Sequence, residues 1–193
     1  MTQPAFSRQA LPAALRFVGH AIVSADGMIS LADGTMPPTL HNEADWRRFQ
    51  AALDAAVLVV LGRLGHRVHA SRGRPRLVLT SLVEALAADP EDPHAHLYNP
   101  AGMGLAEALE RLGVAQGTLA VTGGTRVFDA FLPLYDAFDL VEVNGLTLPD
   151  GRPCFAEGHP RAVLATAGLR PARFDLIDPA AGVSLTQWER TEP

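Results

Sequence analysis

With 193 residues, 48% of them hydrophobic and 19% charged, the chain can bury one sizeable core, and it is neither a disordered tail nor two ordinary enzyme domains. A net charge of −5 excludes a general nucleic-acid binder, and the longest apolar run, Ala55 to Leu61, falls far short of the roughly 20 residues of a membrane-spanning helix. All 16 basic residues are arginine, which excludes Schiff-base and P-loop lysine chemistry, and the single Cys154 excludes an internal disulfide or a thiolate zinc cage. Neither nucleic acid nor membrane is expected as a partner, and the cytoplasm is the expected location.

Residues 1 to 14 are expected to be a flexible leader without the features of a signal peptide, ahead of a single domain from 15 to 190. Phe17 to Ser24 is the first strand-sized run, and Asp26-Gly27 reads as the turn after it. Asn42 can cap a helix whose Trp46, Phe49, Leu53 and Ala56 recur at three- and four-residue spacing. Strands follow at Val57 to Leu61 and at Leu77 to Thr80; after the second, Thr80-Ser81 can cap a helix from Leu82 to Ala88. Leu105, Leu109 and Leu112 mark another helix, Leu119 to Thr122 a strand, Val127, Phe131 and Leu134 a helix, and Phe138 to Val143 a strand. After Leu148-Pro149-Asp150-Gly151, the segments Arg173 to Ile177 and Val183 to Trp188 form an antiparallel edge hairpin across Asp178 to Gly182. Alternating strands and helices imply an α/β fold with a mostly parallel central sheet covered on both faces. Ligands of such sheets bind beyond the carboxyl ends of the strands, so the residues that follow each strand are the candidates for chemistry.

Three strand ends carry residues compatible with phosphate. Gly123 and Gly124 join a strand to a helix through Thr122 to Phe128, where a paired glycine serves either as a tight turn or as a floor that lets backbone approach a phosphate. Gly62-Arg63 and Thr80-Ser81 are the second and third. From Gly62 to Val83 there is no acidic residue, while Arg63, Arg67, Arg72, Arg74 and Arg76 fall there, so the stretch is an anion site or a solvated arginine loop. Asp45 has two readings. It completes a capping box or complements the dipole at the helix start, or, on the face of Phe49 and Ala52, it is drawn into a half-buried cleft where desolvation suits it to proton transfer. Glu43 lies on the opposite side. His66 with His69 and His94 with His96 have no carboxylate to complete a ligand set, and no metal is expected.

In combination and in order, from Arg16 to about Glu189, these pieces resemble the dihydrofolate reductase-like superfamily, which includes the reductase domain of riboflavin biosynthesis. The segments that carry the resemblance are Val23-Ser24-Ala25-Asp26-Gly27, Asp45 with Phe49, Val59 to Arg63, Arg76 to Ser81, and Val121 to Phe128 with Phe131-Leu132-Pro133. The resemblance implies a three-layer fold, a cis peptide within the glycine pair, and NADPH as cofactor. It places Ala21, Ser24, Ile29, Gly62, Arg63, Thr80, Ser81, Gly123, Gly124, Thr125, Arg126 and Val127 at that cofactor, and Asp45 at the substrate as anchor and proton manager. Met36-Pro37-Pro38 stands where dihydrofolate reductases have Leu-Pro-Trp, and Val141 stands near their pterin-steadying threonine. The Ser24 to Gly27 opening and Gly151 to Phe155 are more similar to the riboflavin-pathway reductase domain, whose fused zinc deaminase has no counterpart here. The implied activity is NADPH-dependent reduction of an aminopyrimidine resembling 5-amino-6-ribosylaminouracil phosphate, or of a related heterocycle, by a homodimer. Dihydrofolate reduction and a non-catalytic nucleotide-binding module are the two alternatives.

Overall fold

The architecture comes from a computed structural model that describes residues 6–191. Its elements, in chain order, are β1 (Leu15–Ser24), β2 (Met28–Ser30), α1 (Glu43–Ala55), β3 (Leu58–Gly62), α2 (Arg63–Val68), β4 (Arg76–Leu79), β5 (Leu86–Ala88) and β6 (Ala95–Tyr98). Next come α3 (Leu105–Arg111), β7 (Gly117–Val121), α4 (Thr125–Phe131), β8 (Ala137–Val143), β9 (Arg152–Pro153), α5 (Pro160–Thr166), β10 (Leu169–Asp178) and β11 (Val183–Arg190). Nine strands form one sheet in the order β10-β11-β8-β1-β7-β3-β4-β6-β5, and β2 and β9 form a small antiparallel pair. The interior strands from β8 to β6 are parallel, and β10, β11 and β5 are antiparallel to their neighbours.

Alternation along the strands explains the layers. Leu58, Val60, Leu77, Leu119 and Val121 face one side, where they pack with Leu105 and Leu109 of α3, Val127 and Phe131 of α4, and Leu164 of α5. Val59, Leu61, Val78 and Ala120 face the other side and pack with Phe49 and Leu53 of α1. Residues of opposite parity on one strand thus serve different layers, as a sheet covered on both faces requires. The face under α1 is apolar at both ends and polar in the middle. There the register aligns His20 of β1, Asp139 of β8 and Gln187 of β11 in one row, with a second apolar cluster of Val141, Val143, Val183 and Leu185 beyond it.

The predicted strands and the edge hairpin are present, β10 being the outermost strand and β11 joining it to β8. The helix expected from Leu82 to Ala88 does not form. Residues 81–85 bend, and Leu86 to Ala88 add an edge strand to β6. The cause is Asn99, whose Nδ2 donates to Val83 O at 2.9 Å and whose backbone N–H donates to Ala85 O at 2.6 Å, so those carbonyls are engaged across the chain rather than along a helix. Thr80 still makes the local turn, its Oγ1 accepting from Leu82 N at 3.2 Å.

The first five residues of the expected leader lie outside the described residues, as do Glu192 and Pro193. Within the rest of the leader, Phe6 packs edge-on to Phe131, and Arg8 donates to Asp136 and to the carbonyls of Leu134 and Leu15. Among the described residues no helix is long and apolar enough to cross a membrane.

Candidate active site

The sheet opens where β1 outruns β7. Their pairing runs from Leu15↔Gly117 to Gly19↔Val121 and stops, while β1 stays paired with β8 as far as Ser24↔Val143. From His20 onward, the edge of β1 that faces β7 has no strand against it. The chain leaving β7 crosses this fork as Thr122-Gly123-Gly124 and enters α4. Thr122 N donates to Val60 O and Gly62 N donates to Gly123 O at 2.8 Å, which binds this turn to the end of β3. The Gly123–Gly124 peptide is cis, as the resemblance implies.

The two glycines are required for different reasons. Gly123 has φ +92°, and a Cβ there would sit 2.3 Å from Phe128 Cε2, so the fold itself demands glycine. Gly124 has φ −75°, and a Cβ would meet only Ile29 Cδ1, at 3.6 Å. The fold leaves room for a Cβ at Gly124, and the exposed backbone there is open to a ligand. Gly62 adjoins it, with its Cβ position 3.8 Å from both Gly123 O and Gly124 N. Backbone from two strand ends thus makes one side-chain-free floor.

The register places the other predicted residues around that floor. Gly62 is opposite Leu79, which brings Arg63 and Thr80-Ser81 to neighbouring strand ends, with Arg63, Ser81 and Arg126 exposed. Ala21 and Ile29 are half-buried on the α4 side. Val127 is buried and packs its Cγ2 3.5 Å from the Gly62 Cβ position. Two hydroxyls are already engaged. Thr125 Oγ1 donates to Pro153 O, while Ser24 Oγ accepts from Met28 N at 3.0 Å and donates to Asp26, itself held by Leu148 N.

The arginine stretch divides. Arg74 binds Asp54 and Gln50 of α1, and Arg72 reaches Gln50. Buried Arg76 donates to the carbonyls of His69 and Ala70 and faces His66, which in turn binds Asp89 at 2.7 Å. The expected anion site therefore narrows to Arg63 and Arg67, which make no ion pair among the described residues.

Asp45 is not a cap. Asn42 does the capping, its Oδ1 accepting from Ala44 N at 3.0 Å and from Asp45 N at 3.1 Å. The Asp45 side chain turns inward, only 11% exposed, with Oδ1 3.2 Å from Arg48 Nη2. Arg48 Nη1 then donates to Asp139 Oδ2 at 2.6 Å, Gln187 Nε2 donates to Asp139 Oδ1 at 3.2 Å, and His20 Nδ1 lies 3.3 Å from Asp139 Oδ2. The two carboxyls diverge. Burial raises the pKa of Asp45 despite the opposing pull of Arg48. Burial would raise Asp139 as well, but His20 and Arg48 outweigh it and hold that carboxyl at about 2. The sequence reading missed His20, Arg48, Asp139 and Gln187. The available signal was a polar residue between apolar neighbours of the same parity, His20 between Val18 and Ile22 and Asp139 between Ala137 and Val141.

No family model matches the chain, and no curated protein matches it in sequence. Solved structures do match in shape. A protein ascribed to riboflavin biosynthesis from Shewanella sp. PV-4 superposes with a TM-score of 0.65 at 16% identity, over 92% of this chain and 99% of that one. Dihydrofolate reductase from Enterococcus faecalis, complexed with NADP(H) and RAB-propyl, gives 0.66 at 17% identity over 92% and 97%. A diaminohydroxyphosphoribosylaminopyrimidine deaminase/5-amino-6-(5-phosphoribosylamino)uracil reductase from Thermotoga maritima gives 0.65 at 13% identity, and there the chain spans 57% of the longer protein. The chain has the dihydrofolate reductase-like fold.

Proposed function

We propose that the chain is an NADPH-dependent reductase of the riboflavin-biosynthesis type, acting on an aminopyrimidine resembling 5-amino-6-ribosylaminouracil phosphate or on a related heterocycle. What supports this reading is the backbone floor of Gly62, Gly123 and Gly124 at one fork of the sheet, together with buried Asp45, which the Arg48–Asp139 pair links to His20 at the root of that fork. The floor fits the dinucleotide, because glycine at position 124 has no steric cause within the fold and a Cβ there would occupy space open to a ligand. Gly62, Gly123, Gly124 and the start of α4 would hold the pyrophosphate, Arg63 with Thr80 and Ser81 the additional phosphate, and Ala21 and Ile29 the nicotinamide side. NADPH, when bound, supplies a hydride. The protein's part is to align the substrate and control its proton. Asp45 anchors the substrate by accepting from N–H groups of the heterocycle. Support from similar proteins lies in the pyrimidine reductase and the NADP(H)-bound dihydrofolate reductase that share the fold.

The test is cofactor choice followed by turnover. NADPH at matched concentration raises Tm more than NADH, because charge-assisted bonds to the extra phosphate contribute about 1.5–3 kcal/mol each. Equal shifts would remove the reading. NADPH oxidation with the ribosylaminopyrimidine phosphate supports the riboflavin-type substrate, oxidation with dihydrofolate would move the assignment to folate, and tight binding without turnover would make the chain a nucleotide-binding module.

The same reading includes a homodimer through β10, which is an edge strand with Phe174 63% and Leu176 50% exposed. Its sequence is self-complementary. Between the two bulges of β10, antiparallel pairing of two copies centred on Phe174 sets Arg173 of one copy, which pairs with Asp175 of its own chain at 2.7 Å, across from Asp175 of the other. Sedimentation is expected to give twice the monomer mass, reduced to the monomer by Phe174→Asp; a monomeric wild type would exclude the dimer.

A further inference from the structure

His20 is the first residue of β1 beyond the end of its pairing with β7, and so it stands at the root of the fork. Its side chain is only 5% exposed, and Nδ1 has no hydrogen-bond partner of good geometry although it lies 3.3 Å from Asp139 Oδ2. A buried polar atom left in this state calls for an explanation, because it forgoes solvation without replacing it. The charged and titratable groups around the ring are Asp139 from β8 and Asp45 with Arg48 from α1, joined by the polar Gln187 from β11. Phe49 of α1 packs edge-on to the imidazole at 6.1 Å between centroids and fixes its plane. With Nδ1 turned to Asp139 on the β8 side, Nε2, across the ring, is turned away from β8. Asp139 is ionised throughout the neutral range and can accept an N–H, which sets the tautomer of the ring.

We propose that His20, oriented by Asp139, is the proton donor of this site. The inference rests on the reductase reading and adds to it a catalytic residue outside the predicted set. Reduction of a C=N or C=O bond needs one hydride, supplied by NADPH, and one proton. Hydride adds to the carbon, the π electron pair moves to the heteroatom, and that atom takes the proton from His20 Nε2–H; the neutral ring is then reprotonated from solvent. Asp139 keeps its negative charge throughout and acts as a positioning residue. Asp45, held by Arg48, remains the anchor.

Two measurements separate this inference from the reading beneath it. In the ligand-free wild type, imidazole nitrogen shifts are expected to show neutral His20 protonated at Nδ1, and Asp139→Asn to remove that preference. A neutral ring protonated at Nε2 would overturn the inference whether or not NADPH binds. In turnover, His20→Gln lowers kcat by about 100-fold, with KM and NADPH affinity within about threefold of wild type. The pH profile of kcat changes in His20→Gln, because the group that gives up the proton is gone. A His20→Gln enzyme that folds and keeps both wild-type kcat and its pH profile would also overturn the inference, leaving the reductase reading intact. Failure of the wild type to bind NADPH would remove the reading instead.

Discussion

Gly124→Val is expected to fold with wild-type stability and to lose NADPH affinity by at least about 100-fold. The backbone at 124 has a φ of −75° that any residue adopts, and a Cβ would meet nothing closer than Ile29 Cδ1 at 3.6 Å, so the fold accepts a Cβ there. The ligand does not, because the isopropyl group would stand where the floor shared with Gly62 is open. Gly123 is the matched control. It needs φ +92°, and its Cβ would run into Phe128, so Gly123→Ala fails by destabilisation and its lost binding says nothing about contact. Circular dichroism melting together with cofactor fluorescence titration distinguishes the two modes of failure. Normal NADPH binding by Gly124→Val would reduce the glycine pair to a turn and take the central support from the proposed function.

The contrast between these glycines shows what the sequence makes legible. Adjacent glycines after a β-branched run announce a strand-to-helix turn, but which one the fold needs depends on Phe128, a contact that spacing does not reveal. The central strands were readable because each is a short apolar run buried on both faces. β6 was not. It lies in a His- and Pro-rich stretch whose order comes from β4 and β5 on either side and from Asn99 beyond it. α2 buries none of its residues and α5 only Pro160 and Leu164, so neither carries the repeated apolar face by which α3 and α4 were legible. In the site, the strand ends could be found one at a time, whereas the network beneath α1 could not. His20, Asp139 and Gln187 are separated by more than forty residues at each step, and only the strand register brings them into one row.

Asp45→Asn is expected to lower kcat/KM by about 100-fold, chiefly through KM, while NADPH affinity stays unchanged. A buried carboxylate accepts from two N–H groups of a heterocycle at once; the amide presents one acceptor and one donor, so one substrate N–H would face another N–H. The stability readout goes against the capping reading, under which the change would cost about 0.5–1 kcal/mol. Asn42 supplies the cap, and Arg48 keeps its bond to Asp139 when Asp45 is replaced. The sign of the pH dependence follows from burial. With the folded pKa raised, the native state holds the Asp45 proton more tightly than the unfolded chain, so this group's stabilising contribution is complete below 3.8 and is lost as pH rises through the folded value. Asparagine does not titrate, so at neutral pH Asp45→Asn should be no less stable than wild type, and its advantage should disappear on acidification toward 3.8. Urea unfolding across that range measures this directly. A variant that loses stability at neutral pH yet retains turnover on every substrate the wild type reduces would return Asp45 to the helix. Substrate anchoring would then fall to Arg48, the only other charged side chain of α1 that reaches into the same network among the described residues.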